Sequence, residues 1–255
     1  MKALVALLMA LSLLAAFPPN LAAKNFGKQI RKAARELDEG RLADAKQDLE
    51  AVLNKKPGNE DAKILMSVVH YRLAMQAKKF FDAPQTADEL RAAIALDPDE
   101  AYWHAALVDV LARQGDKEAA EKECSEAARL SPLDSGLAAG CGLNGKGELE
   151  ENLLPQVEIG SPKPAPGVTP PVPLSKPEPP YSKKARKVGY QGMTVLMIEI
   201  GATGNVESAS VVRPLGVGMD EEALKTVRTW TFKPATRDGK PVPVRVQVEV
   251  AFRLY

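Results

Sequence analysis

The sequence predicts a multidomain protein in which a proline-rich linker joins an all-α domain of helical repeats to a small α+β domain. Over residues 24–151, apolar residues recur three and four positions apart, a spacing typical of amphipathic helices. Residues 155–180 then hold 10 of the chain's 20 prolines. After them, apolar and polar residues alternate, which indicates β-strands.

The first 23 residues are predicted to be a secretory signal peptide. Lys2 precedes an apolar run at residues 3–17, and small residues follow at Ala22 and Ala23. As a helix, this run would span roughly 22 Å, which is shorter than the ~30 Å hydrocarbon core of a bilayer. An uncleaved helix that anchors the chain in the inner membrane is the alternative.

The helical region repeats with the period of the tetratricopeptide repeat (TPR). Pro98 and Pro132 are 34 residues apart, and 34 residues is the length of that repeat. An earlier unit ends at Pro57, 41 residues before Pro98, so the middle unit carries about seven extra residues. We place the extra residues at 78–85, where turn-forming residues cluster. The region therefore resembles three TPR-like units, with an ordinary helical bundle as the alternative.

The two cysteines, Cys124 and Cys141, would meet an oxidising environment after export. Cys124 lies in the second predicted helix of the last repeat, and Cys141 lies in a segment, residues 135–143, that is predicted to cap the array. The two residues form either one disulfide or two separate buried thiols, and the sequence leaves both possibilities open.

Residues 152–180 are predicted to be an extended proline-rich linker. Proline lacks a backbone donor and favours extended chain, so this composition does not form a packed core. At ~3.1 Å per residue, residues 155–180 of this segment could reach roughly 80 Å. A ligand for a proline-binding domain is the alternative interpretation.

The C-terminal residues 181–255 are predicted to form a three-stranded antiparallel sheet with one helix. The predicted elements are strands at 193–200, 206–213 and 242–254 and a helix at 219–229. In the last strand, valine recurs at every second position from Val242 to Val250, which predicts one buried face and one solvated face. Trp230 and Phe232 are predicted to lie in the core of this domain.

These residues resemble the TonB C-terminal family. The resemblance extends over residues 179–255, and it is carried by Gly189-Tyr-Gln-Gly192, Trp230-Thr-Phe-Lys-Pro-Ala235 and Gly239-Lys-Pro-Val242. It implies a module that captures an extended segment of an outer-membrane transporter along its last strand. The residues that it assigns to partner binding are Val244, Arg245, Val246, Gln247, Val248, Glu249 and Val250.

The chain is predicted to be a periplasmic protein-interaction adaptor rather than an enzyme. It carries none of the common catalytic or phosphate-binding motifs, so no cofactor, metal or small-molecule substrate is expected. Its net charge of +1 gives no basis for nucleic-acid binding. The repeats are expected to hold an unknown protein in their groove. The alternative is a full TonB-type energy transducer, anchored by an uncleaved helix and supporting transmembrane transport.

Two further groups of residues are predicted to have no special role. His70 and His104 lie in separate repeat helices without companions in the sequence that would indicate catalysis or metal binding. The basic residues at 183–187 are expected to form a solvated surface, as clusters of like charge usually do.

If the signal peptide is removed, the mature chain begins near Lys24. Intact-mass measurement of protein isolated from a Gram-negative host, with peptide mapping of its N-terminus, checks this expectation. A chain that retains Met1 would favour the anchored alternative.

Overall fold

The computed structural model describes residues 19–79, 83–141, 156–158 and 167–254. The predicted signal sequence up to residue 18 and much of the predicted linker lie outside the described residues. Within the described part of the chain, no helix is both long enough and apolar enough to cross a bilayer.

Three antiparallel helix pairs form the N-terminal domain. The pairs are α1 (Pro19–Asp38) with α2 (Leu42–Lys55), α3 (Glu60–Lys79) with α4 (Ala83–Leu96), and α5 (Ala101–Gln114) with α6 (Lys117–Leu130). A short helix, α7 (Ser135–Ala138), follows them. Gly40 and Gly115 have φ angles of 76° and 82° at the turns of the first and third pairs, a left-handed conformation that glycine adopts easily. The predicted helical repeats are confirmed.

A side-chain contact between residues 19 positions apart bridges each helix pair. The contacts join Gln29 to Asp48 (3.5 Å), His70 to Glu89 (2.6 Å) and His104 to Glu123 (2.6 Å). His70 and His104 thus have a partner on the facing helix that their sequence neighbourhood did not reveal. Each histidine joins the two helices of its own repeat.

The same spacing locates the extra residues of the middle repeat. Since His70 and Glu89 are separated by the same number of residues as the other two pairs, nothing is inserted between them, and the predicted position at 78–85 is wrong. The extra residues precede His70 and lengthen the N-terminal end of α3. At 1.5 Å per residue, they add roughly 10 Å of helix.

The C-terminal domain is built on three long antiparallel strands, as predicted. They are β4 (Gly192–Ile200), β5 (Val206–Arg213) and β9 (Val244–Phe252), and β4 lies between the other two. The helix α9 (Met219–Val227) packs on β4 and β5, and a shorter helix, α8 (Lys183–Val188), precedes β4. Trp230 and Phe232 are both 2% exposed, so their predicted place in the core is confirmed.

The second half of the proline-rich segment lies against the C-terminal domain. Its strands β2 (Val168–Thr169) and β3 (Val172–Ser175) pair with β7 (Thr236–Arg237) and β6 (Thr231–Lys233), and β8 (Lys240–Pro241) continues the first of these small sheets. The indole of Trp230 donates to the carbonyl of Pro177 at 3.0 Å, and the Lys176 ammonium lies 4.7 Å from the ring centre. The sequence predicted an extended linker over 152–180, and within it residues 168–177 pair with or bond to the C-terminal domain.

One cluster of buried apolar side chains continues from the helical repeats into the sheet domain. It includes Leu65 and Trp103 from the repeats and Val188, Leu215 and Val217 from the C-terminal domain. The two domains therefore share a core, and they pack directly on each other.

The structure joins Cys124 on α6 to Cys141, just after α7, with a Cα–Cα distance of 5.9 Å. The bond closes a loop with a sequence separation of 17, and α7 carries contacts to the C-terminal domain.

Because this cross-link restricts the unfolded chain, Cys124→Ser with Cys141→Ser is expected to lower the free energy of unfolding by about 3 kcal/mol. Urea unfolding, followed by far-ultraviolet circular dichroism, measures the difference. Thiol titration of the denatured, unreduced wild type provides the control, and two free thiols per chain would contradict the bond.

Candidate partner-binding site

The last strand, β9, combines a buried face with a solvated one. Along it, Val244, Val246, Val248 and Val250 are at most 4% exposed, whereas Gln247 and Glu249 are exposed. The valine side chains are therefore buried in the core and do not face a partner. What this strand can offer a partner is the polar face and the backbone groups along its outer edge.

The polar face of β9 is tied to its neighbours by ion pairs. Arg245 donates to Glu199 on β4 at 3.1 Å, and Glu199 also accepts from Ser208 on β5 at 2.6 Å. Glu249 lies 3.9 Å from Arg213. All seven predicted partner-binding residues thus lie on one strand, four inward and three outward, and their alternation follows from the two-residue period of a strand.

A short strand from the proline-rich segment lies on the outer edge of β9. This strand, β1 (Gln156–Glu158), runs parallel to β9 and pairs its three residues with Arg245, Val246 and Gln247. The sheet order is therefore β1-β9-β4-β5. The edge of β9 accepts an added strand, because the chain itself places one there.

Side chains of the repeat domain cover the opposite edge of the sheet. On β5, the Ala209 amide donates to Ser135 Oγ at 2.9 Å, and the Ser135 hydroxyl donates back to the Ala209 carbonyl at 2.7 Å. The Val211 amide donates to Asp134 at 2.8 Å. These contacts satisfy backbone groups that an added strand would need. Repeat side chains thus occupy backbone groups at the β5 edge, whereas a strand of the same chain occupies them at the β9 edge.

The C-terminal domain sits on the face that the first helices of the pairs present. Asp38 at the end of α1 accepts from Gln191 at 2.9 Å, and Tyr190 accepts from Arg72 on α3 at 2.9 Å. The first-helix face, one of the surfaces on which a repeat array can hold a partner, is thus occupied by the chain's own domain. An unknown protein is not required to fill it.

The added turns of α3 contribute to this interface. Asp61 forms an ion pair with Lys187 on α8 at 2.7 Å, and Ala62 and Leu65 are completely buried. Lys184 reaches Asp97 at 3.5 Å. Lys184 and Lys187 of the basic cluster at 183–187 are exposed, in agreement with the predicted solvated surface, and each also pairs with a carboxylate of the repeat domain.

A loop with a left-handed backbone forms the centre of the interface. Gly216, Val217 and Gly218 have φ angles of 84°, 59° and 73°, a run that is unusual because Val217 is β-branched. The Leu215 and Gly216 amides donate to Asp220 at 3.0 and 2.6 Å. Asp220 therefore holds this loop.

Glu100 of the repeat domain completes the loop. Its carboxylate accepts a hydrogen bond from the Val217 amide at 2.8 Å, and the side chain is buried. A strained loop in one domain is thus held by a carboxylate that the other domain supplies.

Trp103, one turn along α5 from Glu100, packs against the same loop. It is completely buried, stacks on Tyr71 with ring centres 4.1 Å apart, and donates to Ser67 Oγ at 3.3 Å. A Cβ atom added to Gly216 would lie 2.9 Å from the indole ring. The close approach of the two domains at this point therefore requires glycine.

The interface gathers several carboxyl groups away from water. Burial, reinforced by Glu221, Asp220 and Asp97, raises the pKa of Glu100 well above its usual range. Burial and the neighbouring Asp220 raise the pKa of Glu221 to about 7. One oxygen of Glu100 and one of Glu221 have no hydrogen-bond partner. The interface is thus more favourable when these carboxyls are protonated.

Comparison with known proteins identifies the C-terminal domain. The family model described as the C-terminal region of the Gram-negative bacterial TonB protein matches residues 177–254. These residues form a TonB C-terminal domain. Protein TonB of Vibrio cholerae is 32% identical over 78 residues, which are 30% of this chain and 32% of that protein. Protein tonB2 of Pseudomonas aeruginosa is 33% identical over 82 residues, which cover 32% and 30% of the two chains.

The chain thus spans about a third of the length of these curated relatives. Among solved structures, the solution structure of the Pseudomonas aeruginosa TonB C-terminal domain is 20% identical, with a TM-score of 0.31, and the match covers 38% of this chain and 93% of that one. A TPR-containing domain of a putative FK506-binding protein from Plasmodium falciparum is 13% identical, with a TM-score of 0.35, covering 50% and 90%.

Sequence reasoning missed the contacts between the TonB C-terminal domain and the repeats. Glu100 and Trp103 look like ordinary residues of a repeat helix, and nothing in their spacing marks a partner over 100 residues away. One signal was available in the loop of Gly216 and Gly218, because two glycines around a β-branched residue favour an unusual backbone.

The titration of Glu221 predicts a pH-dependent stability. The pKa of Glu221 is raised in the folded protein. The contribution of this carboxyl group to stability is therefore fully present below its unfolded pKa of about 4.5 and is lost as the pH rises through about 7. Glu221→Gln should match the wild type near pH 4.5 and be more stable by on the order of 3 kcal/mol at pH 8.

Chemical unfolding at both pH values measures this difference. The matched control is Glu222→Gln, since Glu222 is the next residue of α9 and pairs with Lys225 at 2.9 Å. A Glu221→Gln protein that shows the same pH dependence as the wild type would contradict the expectation.

Proposed function

We propose that this protein is a periplasmic adaptor that binds an extended segment of an outer-membrane transporter by strand addition to β9. Main-chain hydrogen bonds along the strand supply affinity, and alternate side chains supply selectivity. The exposed residues Gln247 and Glu249 are the ones that would select the partner sequence.

The pairing of β1 with β9 carries this proposal. An edge that holds a parallel strand from the same chain has its backbone donors and acceptors positioned for a strand from another protein. The other edge supports the assignment, because Asp134 and Ser135 already satisfy backbone groups of β5. Of the two edges of the antiparallel sheet, β9 is the one whose backbone receives a strand.

The relatives named TonB support the identity of the partner. The matched region is the TonB C-terminal domain, and in the resemblance drawn from the sequence this domain captures a transporter segment. The repeats serve here as a platform, since their first-helix face holds the domain. An adaptor of this kind presents β9 from a body in which the two domains share one buried core.

Site-specific photo-crosslinking tests this function without disturbing the fold. A photoreactive phenylalanine analogue at Glu249 or Ala251, both exposed on β9, is expected to capture outer-membrane transporters in living Gram-negative cells. The matched control is the same analogue at Val212, which is 55% exposed on β5. Equal capture from Val212 would contradict binding at β9.

A proline substitution tests the part played by the backbone. Glu249→Pro removes a backbone donor that points away from β4, on the outer edge of β9, and disturbs its neighbours. Loss of about two hydrogen bonds should therefore lower crosslinking from Ala251 roughly tenfold or more. Glu249→Thr, which keeps the donor, is the control. Thermal unfolding of both variants shows whether they remain folded. Undiminished crosslinking in a folded Glu249→Pro protein would contradict strand addition.

A further inference from the structure

We propose that residues 156–158 are a built-in occupant of the β9 edge, which a partner strand must displace before it can bind. This regulation rests on the proposed strand addition at β9. It assigns a role to the first half of the proline-rich segment, which sequence reasoning treated as a spacer.

The register of β1 places it on the partner-binding residues themselves. Gln156, Val157 and Glu158 pair with residues 245–247 of β9, which lie within the predicted contact range 244–250. A second strand cannot pair with the same backbone groups while β1 is in place. Occupation by β1 and binding of a partner are therefore mutually exclusive at these three residues.

The occupant covers a small part of the edge. Three of the nine residues of β9 pair with β1. Pro155 precedes β1 and Pro162 follows it at a short distance, and proline cannot donate to a ladder. Each proline removes a donor from the competing strand, so hydrogen bonding beyond residues 156–161 is weakened. A partner that pairs along more of β9 makes more main-chain hydrogen bonds, so it can displace β1.

The anchors on both sides keep β1 close to the edge. Cys141 is bonded to Cys124 on α6, and Val168 pairs with Arg237 in the C-terminal domain. The segment between them is thus held at both ends on the same body. Short tethers give effective concentrations in the millimolar range, so even weak pairing keeps such a strand in place much of the time.

The consequence is a reduced apparent affinity for every partner strand. The apparent dissociation constant equals the intrinsic one divided by the fraction of molecules whose edge is free. An edge that is free one-fifth of the time would therefore weaken binding about fivefold. Partner strands that form too few hydrogen bonds to displace β1 do not bind. The tethered segment therefore sets a minimum length for the partner strand.

Two variants of the full-length protein allow a free β9 edge to be compared with an occupied one. Replacing Gln156, Val157 and Glu158 together with proline removes every backbone donor of β1. Val157→Thr keeps all three donors and the preference for extended chain, so it is the matched control.

Hydrogen exchange decides whether β1 occupies the edge. In the triple-proline protein, amides of residues 245–247 that do not pair with β4 should exchange at least about tenfold faster than in the wild type. The Val157→Thr protein should behave like the wild type. Equal exchange in the wild type and the triple-proline protein would overturn the proposal.

Binding of a probe peptide decides whether the occupant competes. The probe is a fluorescein-labelled peptide with the sequence of residues 152–161, titrated by fluorescence anisotropy. We expect it to bind the triple-proline protein at least about fivefold more tightly than the wild type. Equal binding to both would overturn competition but leave strand addition intact. If the probe binds neither protein, the proposed function fails at β9, while the exchange result still decides occupancy.

Discussion

The contact between Glu100 and the left-handed loop at Val217 fixes how the two domains are placed. Val217 is a β-branched residue in a conformation that such residues avoid, and its amide donates to a buried carboxylate of the other domain. The contact costs desolvation of a carboxyl group, and strain at Val217 adds to that cost. It persists because Trp103, Tyr71 and the shared apolar core surround it. The orientation of the sheet relative to the repeats follows from this point.

From that orientation, the two edges of the sheet acquire different roles. Docking brings Asp134 and Ser135 to β5, where they satisfy backbone groups that would otherwise attract another strand. It leaves β9 on the far side of the sheet, where the chain's own residues 156–158 lie. A protein that binds by strand addition needs one available edge and one protected edge. Here the repeat domain supplies the protection of β5, which is the role that the proposed strand addition would require of it.

The raised pKa values at the interface reflect the same arrangement. Glu100, Asp220 and Glu221 come together because each domain brings acidic residues to the loop, and their neighbours exclude water. Hydrogen bonds from the loop amides offset the cost of removing Asp220 and, in part, Glu100 from water. Glu221 has no such partner in the loop. The domain contact is therefore sensitive to pH in a direction that weakens it as the carboxyls ionise.

The sequence by itself determined the parts of this protein. Helical periodicity and the recurrence of proline gave the repeats, and the alternating valines of β9 gave its buried and exposed faces, because both patterns depend on local geometry. It misplaced the extra residues of the middle repeat, since a turn-like composition at 78–85 resembles an insertion. Only the tertiary structure decided that Asp61, Glu100 and Trp103 receive the C-terminal domain and that β1 lies on β9. Those contacts join residues about 90 to 125 positions apart, and no local pattern records which distant surfaces meet.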